Sequence, residues 1–212
     1  MDLIFFGMQG SGKGTLGKVI AERYDMQIFE MGGELRKLAQ EDSELGKKIK
    51  SIIEAGHLVS DDVVMEIVEN FMKNLDGNTD ILFDGIPRKV EQANLLNALL
   101  AKHNRIYKGV LLDIKKETAL ARLTTRRICK TCKAVYPVFY TNATCEKCGG
   151  ELITRADDNE TAIKTRLDAY ETETVPAINL YQDDFVRING EPTIEEVQLE
   201  AFKKLDPVMK LA

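Results

Sequence analysis

A short apolar run, Leu3-Ile4-Phe5-Phe6, ends at Gly7 and is followed at once by Met8-Gln9-Gly10-Ser11-Gly12-Lys13-Gly14-Thr15. An uninterrupted apolar run that stops at glycine reads as a buried parallel strand feeding a loop. From Lys13 to Tyr24 the pattern turns helical. Strand, glycine-rich loop and helix in that order are the setting of a phosphate site. Glycines let backbone N–H groups turn inward around an anion, the helix N-terminus adds its positive end, and Lys13 supplies a mobile charge for β and γ phosphates. The plain alternative is a glycine-rich turn with no ligand, and the strand and helix on either side weigh against it.

Similar apolar runs recur at Ile81 to Phe83, Val110 to Leu112 and, more weakly, Phe185 to Ile188. Helical periods lie between them at Asp61 to Leu75, Val90 to Lys102, Lys116 to Arg127, Glu160 to Tyr170 and Ile194 to Leu205. Strand alternating with helix predicts an α/β fold with a parallel sheet. Two stretches break the rhythm. Residues 30–59 read as a purely helical insert, with Leu35 to Leu38 and Leu45 to Ile53, and residues 122–159 hold all four cysteines among short β-like runs such as Ala134 to Tyr140. The expected division is a core of 1–29, 60–121 and 160–212 with these two appendages.

A chain of 212 residues, 44% apolar, suits one core with small inserts. The acidic Asp2 stands where an export signal would carry positive charge, and no run reaches the roughly 18 apolar residues of a membrane span. A cytoplasmic protein with no membrane partner is expected. A net charge of -5 speaks against a nucleic-acid-coating surface, so any phosphate site must be a local cluster of arginine and lysine.

Cys129-Lys-Thr-Cys132 and Cys145-Glu-Lys-Cys148 are two Cys-x-x-Cys hooks separated by twelve residues. Two such hooks can close a tetrahedral four-thiolate site, which predicts structural zinc, with iron as an alternative ion and disulfides or redox thiols as alternative chemistry.

The residue after Lys13 is Gly14, with Thr15 one place later, so the strict Gly-Lys-Ser/Thr pattern is not met. Gly-x-x-Gly-x-Gly-Lys-Gly-Thr instead resembles the adenylate kinase family. The resemblance continues through Gly56-His57-Leu58-Val59-Ser60-Asp61, Asp84-Gly85-Ile86-Pro87-Arg88 with Gln92, Arg122 with Arg126-Arg127, and Arg155-x-Asp157-Asp158 with Arg166-Leu167-x-x-Tyr170. These appear in the family's order and cover nearly all of Met1 to Gly190. The fold it implies is a phosphate-loop parallel sheet flanked by helices, with a helical monophosphate-binding insert and a small zinc-binding lid. The implied reaction is ATP + AMP = 2 ADP with magnesium, in a monomer whose partners are these nucleotides.

The resemblance also implies roles for single residues. Gly10, Ser11, Gly12, Lys13, Gly14 and Thr15 would hold ATP, with Arg122 packed on its base and Arg126, Val135 and Tyr136 beside it. Met31, Arg36, His57, Leu58, Val59, Gly85, Ile86, Pro87, Arg88 and Gln92 would form the AMP site, where Arg36 and Arg88 take the phosphate and Gln92 reads the adenine. Arg126, Arg155 and Arg166 would close on the transferred phosphoryl beside Lys13. Asp84, ending an apolar strand, resembles the carboxylate that orients magnesium or its waters. Cys129, Cys132, Cys145 and Cys148 would hold the lid metal, with a shorter loop between hooks than the family's zinc-bearing lids have.

Two departures are chemically relevant. Met31 stands where the family usually has a threonine near the base, and Gly33 where it usually has an aspartate near the magnesium waters. They keep a kinase for CMP, UMP or GMP as the rival reading. A zinc-ribbon module for nucleic acid is disfavoured by the acidic balance and the complete phosphate loop. A GTPase switch is disfavoured by the lack of an Asn-Lys-x-Asp motif.

Overall fold

The structure, a computed structural model, describes residues 1–77 and 79–209, and the side chains of all of these except 182–184. Five parallel strands form the central sheet: β1 (Asp2–Phe6), β2 (Gln27–Glu30), β3 (Ile81–Asp84), β4 (Tyr107–Asp113) and, after three short strands of a second sheet, β8 (Phe185–Asn189). Their spatial order is β2-β3-β1-β4-β8. Strands on either side of β1 are reached by crossovers in opposite directions, which opens a crevice at the carboxyl ends of the strands. Gly7, Asp84 and Gly190 all lie along that edge.

Alternation along the strands divides the core in two. Ile4, Phe6, Phe29, Phe83 and Leu111 belong to one face, whereas Leu3, Phe5, Leu82, Val110 and Ile188 belong to the other. The second face is covered by α1 (Lys13–Tyr24) and α9 (Ile194–Met209), which supply Leu16, Ile20, Val197, Ala201 and Leu205. On the first face pack α2 (Met31–Leu38), α3 (Glu44–Glu54), α4 (Asp61–Lys73), α5 (Val90–Lys102), α6 (Lys116–Thr125), α7 (Glu160–Ala169) and the short α8 (Val175–Ile178). Asp2 is no solvated charge. Its carboxylate is buried and accepts both Arg105 Nε and Nη2 at 2.6 Å and the Ile81 N–H at 2.8 Å, locking β1 to β3.

Several expected bounds differ. β2 is not among the strands expected from sequence, because only Phe29 of Gln27-Ile28-Phe29-Glu30 is buried, which leaves a largely polar run. α6 ends at Thr125 rather than Arg127. Arg126 is extended, and Arg127 already pairs with Tyr136 in the second sheet, whose order is β6 (Val135–Tyr136), β5 (Arg127–Cys129), β7 (Leu152–Ile153). The β-like run expected over Ala134 to Tyr140 pairs only at Val135–Tyr136, since Pro137 has no N–H to continue a ladder. A π-helical turn, Tyr170–Thr174, joins α7 to α8, and α9 continues four residues past Leu205. Among the described residues no helix is long and apolar enough to cross a membrane.

Candidate active site

A cleft of about 990 Å³ opens at the carboxyl edge of the sheet, with the phosphate loop at its floor. The loop's shape depends on residues without a Cβ. Gly7, Gly10 and Gly12 have φ of 145°, 85° and 101°, and a Cβ on Gly7 would stand 2.4 Å from the Leu112 carbonyl oxygen. Lys13 folds back into the loop, donating from Nζ to the carbonyls of Gly7 at 2.6 Å and Met8 at 3.0 Å. Burial pulls its pKa down to about 8; Asp84 opposes this, and Arg88 and Arg126 add to it. The hydrogen bonds of the ammonium go to neutral oxygens of the loop, so an arriving polyphosphate offers it a stronger, charged partner.

Asp84 closes β3 beside the loop, and a Cβ on Gly14 would lie 3.9 Å from its Oδ2. Burial raises the Asp84 pKa against the pull of Lys13. Strand register sets Glu30, the last residue of β2, opposite Asp84. Glu30 in turn accepts Arg36 Nη2 at 2.8 Å. Gly32 leaves the room this arginine needs, because a Cβ there would sit 3.1 Å from Arg36 Nη1.

Arg88 is folded over Gly85, donating Nε to its carbonyl at 2.9 Å, and the positive φ of Gly85, 86°, permits that approach. The backbone of Arg88 is gripped on both sides: its N–H donates to Gln92 Oε1 at 2.8 Å, and its carbonyl accepts the Thr174 hydroxyl at 3.0 Å. Burial lowers the Arg88 pKa, with Arg166 and Arg36 adding repulsion against Asp84. Gln92 also donates Nε2 to Asp61 Oδ1 at 2.9 Å. A carboxamide has two N–H groups and two lone pairs, so one of each remains beyond these two bonds.

Four more arginines line the cleft: Arg122 in the last turn of α6, Arg126 just after it, Arg155 ahead of α7 and Arg166 within α7. Arg126 gives Nε and Nη2 to Asp158 at 2.8 and 2.6 Å, and Arg166 gives Nη2 to the same carboxylate at 2.8 Å and Nη1 to Asp157 at 3.1 Å. Burial works against the Asp158 charge, but the two guanidiniums hold its pKa below the usual range. Arg155 has its pKa lowered to about 10, by burial first and by Arg126 and Arg36 next, and its Nε is buried without a partner. Arg122 reaches the Ser11 and Gly190 carbonyls at 3.3 and 3.0 Å from the far end of the loop.

The structure thus brings together in one cleft the loop residues 10–15, Met31, Arg36, His57, Leu58, Val59, Asp84, Gly85, Arg88, Gln92, Arg122, Arg126, Val135, Tyr136, Arg155 and Arg166. Ile86 and Pro87 are placed elsewhere. Ile86 is buried in the core, and Pro87 lines a separate small cavity of about 40 Å³. Local sequence does not single out Gln9, Glu30 and Thr174, and it gives no role to Asp158 within the Arg155-x-Asp157-Asp158 motif.

Beyond the cleft, the second sheet gathers the four cysteines. Their Sγ atoms all lie within 4.8 Å of one another, with Cys129 to Cys148 and Cys132 to Cys145 at 3.5 Å. Zinc–sulfur bonds of about 2.3 Å in a tetrahedron require sulfurs roughly 3.8 Å apart, so the donor set fits such an ion. All four are free thiols rather than disulfides. Gly150 makes the turn possible, since a Cβ there would stand 2.8 Å from Cys129 Sγ.

A parallel sheet whose first strand runs through a glycine loop into a helix, with cations converging on that loop from two sides, defines a phosphate-loop phosphotransferase. Comparison with known proteins narrows the class. A family model described as adenylate kinase matches residues 5–186. Proteins named adenylate kinase from Alkaliphilus oremlandii and Kosmotoga olearia are 40% and 37% identical, covering 93% and 97% of this chain and 94% and 99% of their own. One from Fervidobacterium nodosum is 34% identical over 97% of each. The chain belongs to the adenylate kinase family.

Proposed function

We propose that this chain transfers the terminal phosphoryl group of ATP to AMP, giving two ADP. The observation that carries this reading is the convergence of two cation sets on one loop. Lys13, Arg122 and Arg126, at or after the phosphate loop and α6, would take the nucleoside triphosphate, and Arg36 of α2 with Arg88 just ahead of α5 would take the acceptor phosphate; all five line the same cleft. One cleft holds donor and acceptor phosphates together.

The reaction asks the protein for position and charge. A phosphate oxygen of AMP, already anionic, attacks the γ-phosphorus, and the bond to the β–γ bridging oxygen breaks with its electron pair staying on ADP. No general base is needed. Lys13, Arg126, Arg155 and Arg166 spread the charge of the moving group, and arginine's planar fork suits phosphate oxygens. Asp84 would hold magnesium or its waters, and bound magnesium supplies charge neutralisation of the β and γ phosphates.

Residues 30–59 would serve as the acceptor-binding insert and 122–159 as a lid held together by zinc, since a small appendage has little core of its own. Closure would keep water from the phosphoryl group. A monomer suffices, because both nucleotide sites come from one chain. Four cysteines kept as thiols fit a reducing compartment, the cytoplasm.

The test is ADP formation from ATP and magnesium with AMP, CMP, UMP and GMP in turn. AMP should lead in kcat/KM by at least about tenfold, roughly 1.4 kcal/mol. A pyrimidine monophosphate that equals AMP would replace the adenylate reading by the rival one.

A further inference from the structure

Among the described residues, two buried side-chain atoms have no hydrogen-bond partner: Gln9 Oε1 and Arg155 Nε. Buried polar groups are nearly always paired, and an exception in a folded protein calls for a cause. Both orphans lie in the same cleft. Arg155 is already one of the cations expected around the moving phosphoryl. Gln9 has no such task.

Its position supplies one. Gln9 is the third residue of the phosphate loop, between two glycines of positive φ, Gly7 and Gly10. It lines the main cleft and also the small cavity behind it, and the other walls shared by both are Lys13, Gly85 and Arg88. Lys13 is the group proposed for the donor phosphates and Arg88 the one for the acceptor phosphate. A side chain that borders both stands beside the path between them. Its carboxamide is neutral, offers two N–H donors, and exchanges its two ends by a half-turn of the last torsion at little cost. Lys13 does not occupy it, since Nζ is engaged with Gly7, Met8 and Ser11.

We infer that Gln9 is a catalytic residue of the phosphoryl transfer, donating a carboxamide N–H to the group in flight between the two nucleotides. The inference rests on the adenylate kinase reading above. Bonds and charges balance as described there: one P–O bond breaks, one forms, and Gln9 neither gains nor loses a proton. Its contribution is a neutral donor turned toward charge that develops away from water, the kind of contact that acts on the transition state more than on either ground state. In the free enzyme the carboxamide oxygen is unpartnered, so the half-turn that brings the N–H end to the phosphoryl breaks no hydrogen bond of that oxygen, and Arg155 Nε is a second donor without a partner.

Because the carboxamide oxygen has no partner in the free protein, an apolar side chain of similar length should not weaken the fold. Gln9→Met in the 212-residue chain, purified with whatever metal it holds, is expected to melt within about 2 °C of the parent. Its kcat for ATP plus AMP is expected to fall about tenfold or more, with KM for each nucleotide changed by less than about threefold. Gln9→Glu, which replaces the donor by a negative charge, should be slower still. A kcat for Gln9→Met within about twofold of the parent overturns the inference, as does a melting temperature lowered by more than about 5 °C, which would assign the side chain to the fold. An inactive parent would instead sink the adenylate kinase reading, so the two failures are told apart.

Discussion

The side-chain oxygen of Gln92 accepts the backbone N–H of Arg88 at 2.8 Å. A residue that the family resemblance assigns to base reading is thereby also a clamp on the arginine proposed for the acceptor phosphate. Its nitrogen is tied to Asp61, so the amide plane is fixed and the remaining N–H and lone pair are presented in one orientation. Gln92→Ala removes both functions. We expect kcat/KM with AMP to fall at least about tenfold and the margin of AMP over the pyrimidine monophosphates to narrow. If kcat/KM falls equally for every monophosphate, the residue acts through Arg88 alone.

Lys13 gives the pH dependence. Its pKa in the free protein is drawn to about 8, below the ordinary value near 10.4. Free enzyme above that pH carries a neutral amine where the polyphosphate needs an ammonium. kcat/KM for ATP reports free-enzyme ionisation, so it should decline above about pH 8. Stability moves the other way: the folded form binds fewer protons than the unfolded chain between about 8 and 10.4, and the free enzyme gains stability as pH rises through that window. Calorimetric ATP titrations in buffers of different ionisation enthalpy should detect proton uptake near pH 8. Uptake of no protons there would contradict the shift.

The contiguous features of this site are legible in the sequence itself. The strand, glycine loop and helix lie within residues 1–24, and the helices at Lys13–Tyr24 and Val90–Lys102 begin and end where their apolar periods do. The cysteine hooks announce themselves by spacing. What stays hidden depends on the folded neighbourhood. β2 buries a single residue and so lacks an apolar signature. Thr174 meets Arg88 across 86 positions through a π-helical turn that no local pattern encodes. Glu30 gains meaning only when strand register sets it against Asp84, and Asp158 only when the extended residue after α6 and helix α7 bring Arg126 and Arg166 to its oxygens.

Asp158 tests that last arrangement. Its carboxylate is fully shielded and serves two guanidiniums, and removing one member of a buried ionic network leaves uncompensated charge at a loss of about 3–5 kcal/mol. Asp158→Ala should lower the melting temperature of the free enzyme by roughly 10 °C. A bound bisubstrate polyphosphate would give the stranded arginines new partners, so the gap between variant and parent should shrink when it is present. In the parent, the depressed carboxyl pKa means that this contribution is complete above the unfolded value near 3.9 and disappears as pH falls through the lower folded value. A melting temperature unchanged by the substitution would show that the pair carries no net stability.

The metal proposed for the four cysteines is checked directly. Purified protein should contain one zinc per chain, and Cys148→Ser should lose it together with several degrees of melting temperature, because three thiolates leave the tetrahedron open. Elemental analysis that finds neither zinc nor iron, with four thiols free to react, would remove the metal from the account.

The ion pair of Glu30 and Arg36 makes the proposed acceptor site testable. Arg36 Nη2 donates to Glu30 Oε1 at 2.8 Å, with the glutamate half exposed at 50%. In the proposed reading Arg36 holds the AMP phosphate, so AMP must displace Glu30 from the guanidinium before it binds fully. A solvent-exposed pair of this kind is worth about 0.2–1 kcal/mol, which corresponds to roughly a 1.5- to fivefold effect on affinity. Glu30→Gln keeps the shape, removes the competing charge and also relieves repulsion toward the incoming phosphate. KM for AMP should therefore fall within that range, with the larger effect at low ionic strength, since salt screens an exposed pair. KM for ATP should move less, because Lys13 and Arg122 do not pair with Glu30. A KM for AMP that rises instead would mean that Glu30 orders Arg36 for the phosphate rather than competing with it.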